Sequence, residues 1–381
     1  MHKLGLIAVG YNKVEGMKRL LKSLNAADYG QEEIPLIISI DYSGDTGVYD
    51  VAEAFAWQHG NKIIRMAEQN LGLRNHILQC GDYMEEYGLD AVAVFEDDVV
   101  ASPSFYWYMK ESVEYYWGNS DIAGISLYYR CFVENAQKAF QPMIDNADVY
   151  FVQHAESRGQ IWMKPQWEAF KDWYMRNSGP TKQTKKIPVN ITNWPETSWL
   201  KYHIKYCVEC NKYYVYPYQS FTSMFSDPGV HVQVQSSERH SPLVMGIKKE
   251  FKFVPCTEDS VRYDVFFENP KVSQYLPQID VRDLSIDLNG TRRAFARYAI
   301  SSQKLPYKVI KSWGNYMIPQ ELNIMFDVSG EDFFLYDTNR RVKQEPNGKQ
   351  TKTVPSSWKH IVKKVSDLGT QCRDKIINKA K

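Results

Sequence analysis

Three consecutive carboxylates, Glu96, Asp97 and Asp98, directly follow the apolar run Ala91 to Phe95. Adjacent negative charges repel one another, so the trio stabilises a fold little unless a cation or sugar hydroxyls neutralise it. Hard divalent cations bind carboxylate oxygens, and Mg²⁺-type ions also bind substrate phosphates. The trio therefore predicts a site where a metal stabilises the charge that develops on a nucleoside-diphosphate leaving group. The alternative from these residues alone is a solvated acidic turn that caps the helix after Pro103.

The acidic trio ends one of four apolar runs in the first third of the chain. These runs, which predict buried strands, are Leu4 to Val9, Ile34 to Ile40, Ile63 to Met66 and Ala91 to Phe95. Between them, apolar residues recur at helical spacing in 14–24, 47–59 and 71–87. Strands that alternate with helices predict a mostly parallel sheet with right-handed crossovers.

Polar residues follow three of these predicted strands. They are Gly10-Tyr11-Asn12, Asp41-Tyr42-Ser43 and Glu96-Asp97-Asp98. Ligands of parallel sheets bind outside the carboxyl ends of the strands. Two of the three strand ends carry carboxylates, so we expect a polar ligand site at that edge of the sheet.

The remainder of the chain has a less regular pattern. Further strands are expected at 122–128, 150–152, 213–217, 307–310 and 333–336, and helices at 167–175 and 199–210. Residues 178–192 are polar and rich in lysine, which predicts a surface loop. From Trp358, apolar residues fall on one helical stripe beside many basic ones, which predicts an amphipathic tail helix.

Composition excludes several classes of protein. The chain has 381 residues, of which 44% are hydrophobic and 24% charged, and its formal net charge is +1. These values are typical of a soluble globular protein and give no field that would recruit nucleic acid. The sequence contains no apolar stretch of about 18 residues, so no membrane span is predicted. The six cysteines include one C-x-x-C, Cys207 and Cys210, without a second pair, so we expect reduced thiols rather than a zinc site.

The segment from Val94 to Phe105 resembles the metal-binding E-D-D segment, a DXD-like motif, of GT-A-fold glycosyltransferases. It is most similar to the N-acetylglucosaminyltransferase I type, in which an apolar pair, an Ala-x-Pro and an aromatic also follow the acids. The chain also resembles family 2-like transferases. Other segments resemble the family in the same order: Gly5 to Asn12, Ile37 to Asp41, Leu73 to His76, Gly159 to Trp162, Tyr214 to Pro217 and Asp227 to His231. The resemblance covers about residues 4 to 235. We expect a bacterial member of the family, because no signal peptide or membrane anchor is recognised in the sequence.

The resemblance implies an α/β fold of the GT-A (Rossmann-like) type, with a mixed, mostly parallel sheet flanked by helices and a C-terminal extension. We expect a catalytic domain at 1–240, with a nucleotide-sugar half at 1–125 and an acceptor half at 126–240. An extension at 241–357 would pack on that domain, and a basic amphipathic helix would occupy 358–381.

The resemblance also implies roles at the acidic trio and on the loops around it. Asp98 would hold the metal, whereas Glu96 and Asp97 would meet ribose or sugar hydroxyls or metal-bound water. His231 would contact the metal or the diphosphate, although a single loop histidine is also compatible with a structural or solvated role.

Four further residues are expected at the nucleotide. Ala8 and Val9, at the end of the first strand, would meet the base, and Asp41 would accept a hydrogen bond from the base or ribose. Arg74 would pair with a phosphate, because a guanidinium suits bidentate recognition of oxyanions. Asp41 is also typical of a turn, and Arg74 is also compatible with an ordinary helix surface.

Three residues are expected on the acceptor side. Trp162 and Tyr216 could stack on sugar faces or belong to the core. An inverting transfer needs a carboxylate that deprotonates the acceptor hydroxyl. In the family this acid precedes a tryptophan in a W-D-D-W context, and here Glu196 is the only acid in the corresponding segment 193–199. We interpret Glu196 as the general base, with a helix N-terminal acid as the alternative.

The resemblance implies a metal-dependent enzyme, a hexosyl- or N-acetylhexosaminyltransferase with Mn²⁺ or Mg²⁺ as cofactor. It would transfer a sugar from a nucleotide-diphosphate donor, with UDP-sugar favoured, to a hydroxyl of a saccharide or lipid-linked acceptor, with inversion. Since the N-terminus shows no signal peptide, we expect a cytoplasmic enzyme of surface polysaccharide or lipopolysaccharide synthesis. The basic face of 358–381 could place it on the inner face of the plasma membrane.

Two other functions remain open. A sugar-phosphate nucleotidyltransferase uses a similar sheet and metal, but Gly10 to Glu15 lacks the glycine-rich basic loop expected there. A non-catalytic carbohydrate-binding protein with a transferase fold is the other alternative. The presence of Glu96, Asp98 and Glu196 together argues against it.

Overall fold

The computed structural model describes residues 2–180, 184–225 and 239–342. Its first third alternates strands and helices, as the sequence predicts. The strands are β1 (Leu4–Gly10), β2 (Leu36–Ile40), β3 (Lys62–Met66), β4 (Ala91–Glu96) and β5 (Val99–Ala101). The helices are α1 (Val14–Asn25), α2 (Gly47–Ala54), α3 (Leu73–Glu86) and α4 (Phe105–Tyr116).

The middle of the chain adds shorter strands and three helices. The strands are β6 (Ile122–Ser126), β7 (Phe132–Val133), β8 (Lys138–Ala139), β9 (Val149–Val152), β10 (Gln160–Met163), β11 (Tyr213–Pro217), β12 (Thr222–Met224) and β13 (Arg262–Tyr263). The helices are α5 (Lys164–Asn177), α6 (Val189–Thr192) and α7 (Trp199–Glu209). Helix α6 lies in a segment predicted to be loop.

The last part of the described chain forms a second sheet. Its strands are β14 (Leu284–Asp287), β15 (Tyr298–Ser301), β16 (Tyr307–Trp313) and β17 (Phe333–Arg341), in the order β14-β15-β17-β16. Helix α8 (Leu322–Met325) precedes β17, and short 3₁₀ helices span Pro270–Tyr275 and Val281–Asp283.

A nine-stranded sheet is the centre of the fold. Its strand order is β13-β9-β11-β6-β10-β4-β1-β2-β3. Strands β4, β1, β2 and β3 are parallel neighbours, β10 is antiparallel to both β4 and β6, and β11 is parallel to β6. The expected mixed α/β sheet, mostly parallel and flanked by helices, is therefore confirmed.

Burial on both faces explains why the first strands are continuous apolar runs. Leu6 and Ala8 of β1 belong to one core cluster, and Ile7 and Val9 belong to another on the opposite face. A third cluster lies in the second sheet. A parallel strand covered on both faces requires apolar residues at every position.

One helix is shorter than its apolar spacing indicates. Helix α2 ends at Ala54, whereas the spacing predicts a helix as far as His59. The following segment instead binds the start of β2: the indole N–H of Trp57 donates to the carbonyl of Ile34, and the amide of Ile34 donates to the carbonyl of His59.

Features of the C-terminal tail lie outside the described residues, including the predicted helix at 358–381. Within the described ranges, no helix is both long enough and apolar enough to cross a membrane. The predicted domain boundaries stay predictions.

Candidate active site

The parallel strands bring the predicted site residues to one edge of the sheet. Val9 of β1 pairs with Glu96 of β4 on one side, and Gly10 pairs with Ile40 of β2 on the other. The turn with the acidic trio therefore lies beside the end of β1, and Asp41 follows the next strand. The arrangement expected from the sequence is present at this level.

Backbone contacts hold the acidic turn from two sides. A Cβ built on Gly16, in the first turns of α1, would lie 2.3 Å from the carbonyl oxygen of Asp97. On the other side, the amide of Phe225 donates to the carbonyl of Asp98 at 2.7 Å, and β12 pairs with β5. Helix α1 can approach the turn this closely because residue 16 has no side chain.

Glu96 and Asp97 of the trio are held in an environment that disfavours their charge. Burial raises the pKa of Glu96 to about 8, and the neighbouring charges of Asp98 and Asp97 add to the effect, against Lys13 and the nearby Trp199 indole. Burial also raises the pKa of Asp97 to about 6, again opposed by Lys13. Among the described residues, Oε1 of Glu96 is buried without a hydrogen-bond partner. The site therefore has an excess of negative charge that a ligand could neutralise.

Lys13 supplies the positive charge that contacts this turn. Its Nζ lies 3.5 Å from Oδ1 of Asp97 and 3.7 Å from Oδ2 of Asp98. Lys13 was not predicted as a site residue from the sequence. The available signal was its position, three residues beyond the end of β1 and immediately before α1.

The acidic turn offers carboxylate oxygens to a metal ion. In the described ranges, no three His, Cys, Asp or Glu side chains are grouped so that they could hold a metal ion. The donor chemistry of the trio nevertheless fits a hard cation, since its ligands would be carboxylate oxygens and one of them, Oε1 of Glu96, is unpaired within the described chain.

Asp41 orders the loop that leads into α3. Its two carboxylate oxygens accept the backbone amides of Tyr42, Leu71 and Gly72 at 2.8 to 3.0 Å. Gly72 has φ +74°, a conformation that glycine adopts without strain. The buried carboxylate thus serves the backbone in this structure, as a turn-forming role predicts, and its contact with a base or ribose stays a prediction.

A polar cavity of about 260 Å³ lies between the ends of β2 and β3 and helix α3. Its lining includes Ser39, Arg65, His76 and Tyr83. The hydroxyl of Ser39 is 2.7 Å from Nε2 of His76 and 3.2 Å from the hydroxyl of Tyr83. Burial lowers the pKa of His76, so its imidazole is neutral at pH 7 and one ring nitrogen can accept a hydrogen bond.

Arg74 connects α3 to the segment that carries Glu196. Its guanidinium donates to the backbone carbonyl of Glu196 at 2.7 Å and to the hydroxyl of Tyr202 at 3.1 Å, and it also lies over the Tyr202 ring. The predicted phosphate ligand and the predicted base are therefore neighbours. The contact of Arg74 with a phosphate stays a prediction.

The Glu196 carboxylate is held by two residues of α7. It accepts hydrogen bonds from Nζ of Lys201, at 2.7 Å, and from the hydroxyl of Tyr202. Lys201 is almost completely buried, whereas Glu196 is exposed. Ser198 is the N-cap of α7, so Glu196 precedes the helix and does not lie within its first turn. Lys201 and Tyr202 were not predicted as site residues. Their side chains reach Glu196 because α7 begins at Trp199, and the sequence alone did not fix that start.

Trp199 links this cluster to the acidic trio. The residue is buried at the first position of α7. A hydrogen bond from its indole lowers the pKa of Glu96 and so opposes the effect of burial. The segment with Glu196 therefore lies on the side of the sheet edge that carries the trio.

The remaining predicted site residues lie in the core or outside the description. Ala8 and Val9 are buried and paired on both sides within the sheet. Trp162 is buried and stacked on Trp167, and Tyr216 is buried with its hydroxyl bonded to the carbonyl of His154. Trp162 and Tyr216 are thus core aromatics, because a ring must expose a face to stack on a sugar. His231 lies outside the described residues.

The expectation of reduced thiols concerns six cysteines. Five of them fall within the described ranges, and none of these five forms a disulfide bond there. Cys207 is buried and Cys210 is exposed, so the C-x-x-C pair does not share one environment.

Comparisons with known proteins give distant structural matches. No model of a protein family matches the chain, and no curated protein matches its sequence. Among solved structures, TarS 1–349 of S. aureus in complex with UDP-GlcNAc matches with a TM-score of 0.39 and 14% identity, over 60% of this chain and 60% of that one. The mannosyltransferase PcManGT from Pyrobaculum calidifontis, in complex with GDP-Man and Mn²⁺, matches with a TM-score of 0.32 and 12% identity, over 44% of this chain and 46% of that one.

The chain spans 59% of the length of TarS 1–349 and 36% of the longer TarS structure. Superpositions this loose assign no role to any residue. The function of the site is therefore argued from its own geometry.

Proposed function

We propose that the chain is a glycosyltransferase that moves a sugar from a nucleotide-diphosphate donor, with UDP-sugar favoured, to an acceptor hydroxyl. The observation that carries the proposal is the joint position of the acidic turn and of the Arg74–Glu196 pair at the carboxyl end of the parallel strands. This edge combines an excess of carboxylates with basic groups that could bind a diphosphate. The E-D-D segment that the sequence shares with GT-A enzymes supports the same function.

A divalent cation, Mn²⁺ or Mg²⁺, is part of the proposal. Asp98 would hold it, and Glu96 and Asp97 would complete the carboxylate surroundings; His231, outside the described residues, is a further expected contact. When bound, such an ion supplies Lewis-acid stabilisation of the charge on the leaving diphosphate.

The chain's own residues would bind the donor and remove the acceptor proton. Arg74 would pair with a phosphate oxygen of the donor. Glu196 would take the proton of the acceptor hydroxyl as that oxygen attacks the anomeric carbon and the bond from this carbon to the diphosphate oxygen breaks. Direct displacement of this kind inverts the anomeric centre. Lys201 and Tyr202 would keep the Glu196 carboxylate in place for this step.

The acceptor and cellular setting complete the proposal. We expect a saccharide or lipid-linked acceptor in bacterial surface polysaccharide or lipopolysaccharide synthesis, in the cytoplasm. The basic stripe of 358–381 supports a peripheral contact with the inner face of the plasma membrane.

Calorimetry with UDP, in the presence and absence of Mn²⁺, tests the donor site. We expect binding that requires the metal and that Asp98→Ala abolishes, because this change removes the expected ligand. Asp172→Ala is the matched control, since Asp172 is exposed on α5 and outside the site. Unchanged affinity in Asp98→Ala would remove the metal role of that residue.

Two assays separate the proposal from its alternatives. Absence of any UDP binding, with or without metal, would favour a non-catalytic carbohydrate-binding protein. Release of pyrophosphate from sugar 1-phosphate and UTP would favour a nucleotidyltransferase. A screen of nucleotide sugars for metal-dependent hydrolysis would identify the donor.

A further inference from the structure

The backbone of Lys13 is hydrogen-bonded to α1, whereas its ammonium lies farther from the acidic turn than it would in a close ion pair. Its carbonyl accepts the amide of Met17 at 3.0 Å at the start of α1. Its Nζ lies 3.5 Å from Asp97 and 3.7 Å from Asp98. Charge-assisted hydrogen bonds are usually about 2.7–2.9 Å long, so the ammonium is shared by both carboxylates rather than bonded closely to one.

The packing of α1 restricts what can move. The backbone of Gly16 lies against the carbonyl of Asp97, which fixes the distance between the helix start and the turn. Lys13 reaches the carboxylates with a flexible side chain of four methylene groups that is partly exposed. The ammonium can therefore leave the turn by side-chain rotation, without a change in the fold.

We propose that Lys13 is an internal counter-ion that competes with a divalent cation for the Asp97 and Asp98 carboxylates. Without a divalent cation, its ammonium neutralises the turn. When the cation binds, the ammonium gives up these contacts and becomes available to an anionic ligand at the same edge of the sheet. This inference rests on the proposed function, which supplies the cation and identifies the anion as a diphosphate.

The proposal predicts opposite effects of one substitution on two ligands. Lys13→Met retains most of the side-chain volume but removes the competing charge and its repulsion of the cation. Mn²⁺ should therefore bind at least about tenfold more tightly in the absence of nucleotide, since charges at these distances interact strongly even at a surface. At saturating Mn²⁺, UDP should bind several-fold more weakly, because the freed ammonium is missing. A residue that only stabilised the fold would not give this opposite pair of changes.

Lys18→Met, on α1, is the matched control. Lys18 is exposed and pairs with Glu15 at 2.7 Å, outside the acidic turn. Its substitution should leave both affinities unchanged. Lys13→Arg, which keeps the charge, should bind Mn²⁺ as the wild type does.

The experiment is a Mn²⁺ titration of the full chain, with free Mn²⁺ followed by electron paramagnetic resonance, and UDP titrations by calorimetry. Thermal melts would establish that each variant is folded. If Asp98→Asn abolishes Mn²⁺ binding and Lys13→Met leaves it unchanged or weakens it, the Lys13 inference is wrong and the cation site stands. If wild type and Lys13→Met both fail to bind Mn²⁺ and UDP binds without metal, the cation site and the inference are both wrong.

Discussion

The contact between α1 and the acidic turn gives the sharpest test of how the fold positions the site. In Gly16→Ala, the new methyl group would meet the Asp97 carbonyl oxygen at 2.3 Å. A normal separation is about 1 Å longer, because nonbonded heavy atoms rest near 3.5 Å. Backbone cannot rotate away as a side chain can, so either α1 or the turn must shift.

The effect on stability follows from two opposing contributions. Overpacking costs about 1–3 kcal/mol, whereas replacing glycine by alanine within a helix gains about 1 kcal/mol. The net change in the free energy of unfolding is therefore destabilising by at most about 2 kcal/mol. The displacement of the turn matters more, because misplacing a functional group by about 1 Å can reduce a rate about 100-fold.

A second glycine provides a control with a steric clash away from the acidic turn. A Cβ on Gly81 of α3 would lie 2.0 Å from the Trp167 ring, within the core. We expect both variants to have lower melting temperatures, but only Gly16→Ala to lose Mn²⁺-dependent UDP affinity, by about tenfold or more, which corresponds to about 1.4 kcal/mol. Calorimetry with UDP and Mn²⁺ measures the affinities. Wild-type affinity in Gly16→Ala, or an equal loss in Gly81→Ala, would refute the view that α1 packing positions the turn.

Two further predictions concern carboxylates. Glu196→Gln should leave UDP affinity within a few-fold but reduce turnover by about 10² or more, as expected for loss of a general base. The control Glu209→Gln, at the far end of α7, should have normal turnover. Near-normal turnover of Glu196→Gln in a donor-turnover assay would remove the base assignment. Burial raises the pKa of the Glu268 carboxyl well above its ordinary value. The folded state therefore binds the carboxyl proton more tightly than the unfolded state does. The contribution of Glu268 to stability consequently falls as pH rises from the unfolded pKa of about 4.3. Glu268→Gln should therefore be more stable than wild type at pH 8, with the difference shrinking toward pH 4, in urea unfolding at several pH values; a pH-independent difference would contradict the argument.

Apolar periodicity was sufficient to predict most of the central sheet. The runs at β1, β2 and β4 were long and bounded by polar or glycine-containing turns, so strand type and position agreed closely with the structure. The register between them could not be predicted, because it depends on which strands become neighbours. That register decides that Glu96 lies beside the end of β1.

The sequence predicted residues of the candidate site, but it did not predict which residues they bind. Glu196 was recognised as the only acid in its segment, yet its bonds with Lys201 and Tyr202 depend on where α7 begins. Asp41 was placed at the correct edge, but its bonds with the loop before α3 join residues about 30 positions apart in the sequence. Trp162 shows the same limit: sequence alone could not distinguish an aromatic that faces a ligand from one packed inside.

Charge pairing connects these separate contacts. In the described structure Lys13 contacts two carboxylates, Arg74 binds a backbone carbonyl, and Lys201 binds the Glu196 carboxylate. A nucleoside diphosphate brings negative charge and a divalent cation brings positive charge, so the two together change the net charge of the site far less than either one alone. The cation can take over carboxylates that Lys13 releases, and the diphosphate can take over the released ammonium. Ordered exchange of partners of this kind explains why we expect metal and nucleotide to bind interdependently, and why a nucleotide offered without metal should bind weakly at a turn with three carboxylates.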